Sequence, residues 1–180
     1  MSVADQPNAR IGVLGPHRPQ VHEEAWVAPG AVLVGRVRIG ARSSIWYGCV
    51  LRADDEDVVV GEEVNIQDLS CLHSDPGEPA VLEERASVGH RAIVHGARIG
   101  AGSLIGMGAV VLGGADIGAG SLVAAGAVVR PGTVVAPGML VAGVPAKVLR
   151  PLKGVEQGML EHTWASYLGR TEVHRNAEWD

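Results

Sequence analysis

Three histidines, His73, His90 and His95, fall in one stretch of a chain otherwise rich in aliphatic residues, Ala and Gly. Imidazole is a nitrogen donor that is largely neutral at pH 7 and a common metal ligand. Three imidazoles leave the fourth position of a tetrahedral Zn²⁺ site open for water or a substrate. Fe²⁺ and Co²⁺ accept the same donors. That chemistry needs the three rings to meet at one point, so the backbone carrying them decides the matter.

The backbone is periodic. Ile99, Ile105, Val111, Ile117, Val123, Val129, Val135 and Val141 follow one another at steps of six. Small residues mostly come four places later, as at Ser103, Ala109, Ala115, Ser121, Ala127 and Thr133. Earlier runs keep the step: Val27, Leu33, Ile39, Ile45, Leu51; then Val60, Ile66, Leu72; then Leu82, Val88, Val94. Six fits neither a 3.6-residue helix nor a two-residue strand alternation, and a fixed short period marks a repeat architecture. The reading is a triangular β-solenoid in which each hexad gives one short strand and one corner. Three hexads close a coil, and coils stack at roughly 4.8 Å. The periodicity breaks within RADDEDVVV and HSDPGEPAV, and both interruptions are placed at corners.

Register follows. Leu51, Leu72 and Val94 begin hexads on one face of successive coils, so Arg52, His73 and His95 form one column. His90 comes two places after Val88, on the preceding face. One prism cannot easily bring it to the other two. In a trimer of side-by-side prisms, one chain supplies the stacked pair and its neighbour supplies the third ligand, coupling metal binding to assembly.

The chain divides into a lead-in over 1–26, the hexapeptide β-helix over 27–150, and a helix with tail over 151–180. Pro7, Pro16 and Pro19 break regular structure in the lead-in. Val155–Leu168 reads as a helix with Val155, Met159, His162 and Leu168 along one side. Aromatics are scarce and Phe is absent, as expected if large rings do not fit a narrow prism. A net charge of −5 argues against nucleic acid and anionic membrane as partners. No apolar run reaches a membrane span, and MSVADQPNAR lacks a signal peptide's apolar core, so the cytoplasm is the expected setting. Cys49 and Cys71 read as free thiols. His17, His22, His162 and His174 lack the register and read as surface residues.

The chain resembles the γ-class carbonic anhydrases. The motifs are Arg52-Ala53-Asp54, Asn65-Ile66-Gln67-Asp68, Leu72-His73, Gly89-His90, Val94-His95-Gly96 and Ile105-Gly106-Met107. Gly143-Val144-Pro145-Ala146-Lys147 is less specific, since similar endings close many hexapeptide acyltransferases. The resemblance implies an all-β fold, a left-handed parallel β-helix with a C-terminal α-helix. It implies a homotrimer holding Zn²⁺ or Fe²⁺ between subunits, with His73 and His95 from one chain and His90 from the next. It implies reversible hydration of CO₂ to bicarbonate by a metal-bound hydroxide. Carbonic anhydrase zinc is known to lower the pKa of bound water from 15.7 to about 7.

Other roles carry over by the same resemblance. Gln67 matches the residue that orients the metal's water. Arg52 and Asp54 match an intersubunit salt bridge. Asn65 and Asp68 match supporting polar residues, and Tyr167 a tyrosine near the metal. By register, Asp68 lies one coil from His90 and can orient it. Asp55 stands where the archetype has a longer Glu, and joins Gln67, Asn65 and Tyr167 in the candidate catalytic set. The loop after the first ligand, HSDPGEP, is shorter than the archetype's acidic loop, leaving Asp75 or Glu78 as stand-ins for its proton shuttle. Three alternatives remain: an acyl-CoA thioesterase or other hydrolase on the same metal, a hexapeptide acyltransferase using one His as base, and a non-catalytic metal-binding subunit.

Overall fold

The six-step aliphatic column points inward along the whole solenoid: from Val27 to Val141, none of its members is more than 4% exposed. Fully burying each side chain is worth about 1.5–3 kcal/mol, so the stacked column is the main stabilising feature. The computed structural model describes residues 9–178; Pro7 lies outside them.

The chain winds as a left-handed parallel β-solenoid of about 7 turns, followed by one helix. Each coil presents three faces. The first carries Cys71–His73, Ile93–His95, Val110–Val111 and Val128–Val129 in parallel register. The second carries Ala80–Leu82, Arg98–Ile99, Asp116–Ile117 and Val134–Val135. The third runs from Trp26–Val27 through Ser44–Ile45, Asn65–Ile66, Ser87–Val88, Leu104–Ile105 and Leu122–Val123 to Met139–Gly143. Ala146–Pro151 folds back antiparallel on Met139–Gly143 and ends this third face.

One corner replaces glycine with charge. Arg42, Glu63 and Arg85 have positive φ where later coils have Gly102, Gly120 and Gly138. Such φ values disfavour side chains. Here Glu63 pairs with both Arg42 and Arg85, offsetting that cost in successive coils.

Two local expectations need correction. Residues 10–21 are not irregular throughout: Arg10–Gly12 pairs with Val32–Val34, and Gln20–Val21 with Arg38–Ile39. They escape the hexad count because Ile11 and Val21, the partners of Leu33 and Ile39, do not stand six residues apart. The interruption in RADDEDVVV lies at a corner, as expected, and stays within the sheet. Val50–Val60 is one strand that passes round a corner beside Val32–Ile39, absorbing the mismatch as a register shift near Gly35.

The helix, α1 (Gly154–Arg175), is longer than the period suggests and docks through a different side. Val155 is 82% exposed, whereas Leu160 and Thr171 are buried. Outward Leu104, Leu122 and Leu140 form a column on the third face, and Leu152 and Leu160 cover it. The docking side is thus Leu160, Trp164, Tyr167 and Thr171, whose mixed chemistry hides the spacing. Arg150 grips Glu156 through two hydrogen bonds of 2.8 and 2.7 Å, and the Lys153 N–H donates to the same carboxylate at 2.7 Å. Among the described residues, no helix is long and apolar enough to cross a membrane.

Candidate metal centre

Strand geometry places the histidine pair. Leu72 and Val94 point into the prism, so the next residue on each strand points out. His73 and His95 are register partners on neighbouring coils, and Arg52 is the partner of His73 one coil earlier. The two rings lie 4.9 Å apart between centroids, with His73 Nδ1 2.9 Å from His95 Nε2.

The far nitrogen of His73 is also engaged. Its Nε2 lies 2.8 Å from Asp54 Oδ1, and Arg52 pairs with the other Asp54 oxygen. Burial acts to raise the Asp54 pKa, but the His73 hydrogen bond, a backbone N–H and the Arg52 charge together hold it below the usual carboxylate range. Within the chain, Arg52 and Asp54 therefore pair with each other, and Asp54 fixes the His73 ring. Asp55 joins Asp54 and His73 in a group whose donor atoms lie within 4.8 Å of one another.

Asp75 is the contribution that periodicity does not place. Its carboxylate lies 3.8 Å from His73 Nδ1 and 3.6 Å from His95 Nδ1. The tight Asp75–Glu78 turn brings it back over the pair. Glu78 runs instead against Gly96 and Gly113; a Cβ on Gly113 would stand 2.0 Å from its Oε2.

His90 sits apart, at the corner leading from the third face to the first. The Arg91 N–H donates to the Asp68 carbonyl, stacking His90 over Asp68. Asp68 Oδ2 lies 2.8 Å from His90 Nδ1, and the Tyr167 hydroxyl lies 3.3 Å from Nε2. Burial first, then the charge of Asp68, push the Tyr167 pKa up. Gln67 and Asn65 are buried beside this corner. Gln67 Nε2 donates to Asn65 Oδ1 at 3.0 Å, and Asn65 Nδ2 donates to Ser87 Oγ at 2.7 Å. A groove of about 500 Å³ opens there between α1 and the solenoid, with Gln67, His90 and Tyr167 in its lining and Leu104, Met107, Leu122 and Met159 as apolar walls.

The expected residues therefore form two clusters: His73, His95, Arg52, Asp54 and Asp55 on the first face, and His90, Asp68, Gln67, Asn65 and Tyr167 at the corner and under α1. Among the described residues, His90 belongs to no donor group containing His73 or His95. The donor set suits a divalent cation. Two nitrogens on a tetrahedral Zn²⁺ stand roughly 3.3 Å apart, so the pair at 2.9 Å needs only a small opening. Asp54 and Asp68 each occupy one nitrogen of an imidazole, the usual means of fixing a ligand's tautomer and orientation.

His174 does not fit its reading as a surface residue. It is half-buried and makes an edge contact with Trp46 at 4.8 Å, and its Nδ1 lies 2.8 Å from the Tyr47 hydroxyl. Trp26 and Trp46 are buried too, outside the prism and under α1. The visible signal was two Trp residues flanking the inward aliphatics Val27 and Ile45.

Residues 96–131 match the family model "Bacterial transferase hexapeptide (six repeats)". An "Uncharacterized transferase YtoA" of Bacillus subtilis is 51% identical over 159 residues, covering 88% of this chain and 93% of that protein. The mitochondrial "Gamma carbonic anhydrase 1" of Arabidopsis thaliana is 45% identical over 87 residues, 45% of this chain and 32% of that one. The chain belongs to the hexapeptide-repeat family that includes the γ-class carbonic anhydrases. The crystal structure of a putative acetyltransferase of Bacillus cereus superimposes with a TM-score of 0.93 at 34% identity, covering 95% of this chain and 99% of that one. The matched segment spans only about a third of the Arabidopsis anhydrase, so likeness to it over the rest of its length is not implied.

Proposed function

We propose that the chain is one subunit of a homotrimeric, metal-dependent carbonic anhydrase-like enzyme, with His73 and His95 of one subunit and His90 of the next holding the cation. The carrying observation is that both clusters present an imidazole whose second nitrogen is held by a carboxylate, His73 by Asp54 and His90 by Asp68. They flank one edge of the prism. Apolar side chains along that edge favour a neighbour there: Val50 and Ile93 are partly exposed on the first face, and Leu69 and Met107 are exposed at the corner. A bound Zn²⁺, Fe²⁺ or Co²⁺ lowers the pKa of water toward neutrality and supplies the nucleophile for CO₂.

The chain's own groups have defined parts. Gln67 spends its N–H on Asn65, leaving its carbonyl oxygen to accept a hydrogen bond from the attacking oxygen. Asn65 is itself fixed through Ser87, so the Gln67 amide is oriented. Tyr167 closes the groove over His90 and limits access of bulk water.

A second reading is an acyl-CoA thioesterase or other hydrolase on the same residues. The groove of about 500 Å³ with apolar walls favours it, because CO₂ needs far less room. The relatives described as transferases point instead to acyl transfer with one His as base. CO₂ hydration and acyl-CoA turnover by protein loaded with Zn²⁺, Fe²⁺ or Co²⁺ separate these readings; inactivity toward both leaves acyl transfer or a non-catalytic metal-binding role. The shared site has its own test. Mixed and re-formed His73→Ala and His90→Ala trimers should regain some tight Zn²⁺ sites, and a mixture no better than its parents would exclude it.

A further inference from the structure

The single chain already gathers three donors without a neighbour. His73 Nδ1 and His95 Nε2 face each other at 2.9 Å, and Asp75 Oδ1 stands 3.8 Å from the same His73 nitrogen. One donor atom from each of the three residues lies within 4.8 Å of the others. The two separations from His73 Nδ1 bracket the roughly 3.3 Å edge of a tetrahedral Zn²⁺ shell. The Asp75 carboxylate also lies 3.6 Å from His95 through the other ring nitrogen, Nδ1, so a turn of the exposed carboxylate toward Nε2 completes the site. Asp54 occupies His73 Nε2 from behind, which leaves Nδ1 as the donor facing His95 and Asp75.

We propose that each chain holds a divalent cation by itself through His73, His95 and Asp75, and that the neighbour's His90 takes the place of Asp75 on assembly. Two imidazoles and one carboxylate form a recognised donor set for Zn²⁺ and Fe²⁺. The short turn makes the exchange feasible. Asp75 is about half exposed on a loop closed by the Asp75–Glu78 bridge, so its carboxylate can turn to solvent without disturbing a strand. Loading then precedes assembly, and the incoming His90 converts a weaker three-donor site into a tighter one. The exchange step rests on the shared-site reading; the single-chain site does not.

Zn²⁺ alone is the probe, with binding measured by competition against a chromophoric chelator. His73→Ala serves as the blank for adventitious sites. His90→Ala should keep one equivalent of Zn²⁺ per chain above that blank, at reduced affinity. Adding Asp75→Asn to His90→Ala should weaken the residual binding at least tenfold. Circular dichroism of each variant checks that it is folded. If His90→Ala binds no more than the blank, or the double variant binds as well as His90→Ala, the single-chain site is wrong. Failure of the shared site reads differently: wild type and His90→Ala would then bind Zn²⁺ equally.

Discussion

Asp68 acts on the proposed metal site only through His90, whose Nδ1 it meets at 2.8 Å. Asn in its place can still accept a hydrogen bond but carries no charge. Asp68→Asn should weaken Zn²⁺ binding by about 10–100-fold, the usual cost of losing such a partner. Chelator competition checks this, with thermal unfolding in apo protein essentially unchanged; unaltered affinity would remove Asp68 from the site. At this scale the hexad count was informative wherever a residue sits on a coil. It put Arg52, His73 and His95 in one column and His90 on the preceding face, because register is a matter of counting. It could not place Asp75, whose position depends on how a turn closes. Nor could it place His174, which is held by rings on the far side of the helix interface.

Helix α1 is held by two kinds of contact that can be separated. Leu160 is 5% exposed over the leucine column, so Leu160→Ala should cost about 2–5 kcal/mol in chemical denaturation. A loss below about 1 kcal/mol would mean the helix barely docks. The other contact is ionic. Hydrogen bonds from Arg150 and then the Lys153 backbone lower the Glu156 pKa to about 2. A depressed carboxyl stabilises the fold above its unfolded pKa of ~4.3, and the effect fades as pH falls toward about 2. Glu156→Gln should therefore melt below wild type at pH 7, with the gap closing between pH 5 and 2. A gap constant across that range would assign the difference to something other than this ion pair. The existence of the helix was legible from the loss of the six-step period after Pro151. Its docking side was not, because Leu160, Trp164, Tyr167 and Thr171 mix apolar, aromatic and hydroxyl side chains, while apolar Val155 faces solvent.

Across the whole molecule, the first face is the one that asks for company. The second carries charged pairs such as Arg98 with Glu83 and Asp116, and α1 covers much of the third. On the first face Ile93 is 38% exposed, directly beside the histidine column. Ile93→Lys should shift the proposed trimer toward monomer in sedimentation while leaving its circular dichroism intact. A trimer that persists would move the interface elsewhere. The solenoid itself was readable in outline because one inward aliphatic per hexad is a strong signal. The extra winding over 10–21 was not, since the stretch between Ile11 and Val21 takes those inward residues off the six-residue step.

The returning strand Ala146–Pro151 has a consequence for behaviour at high concentration. A stack of parallel rungs ends in a row of unspent amide and carbonyl groups, which invites a second stack to dock end to end and grow into a fibre. On the third face the last rung is already satisfied by a strand running the opposite way, and Pro151, which has no N–H, closes it before the chain turns aside into α1. The same few residues that finish the coil thus also remove, on that face, the parallel rung on which a second stack would dock.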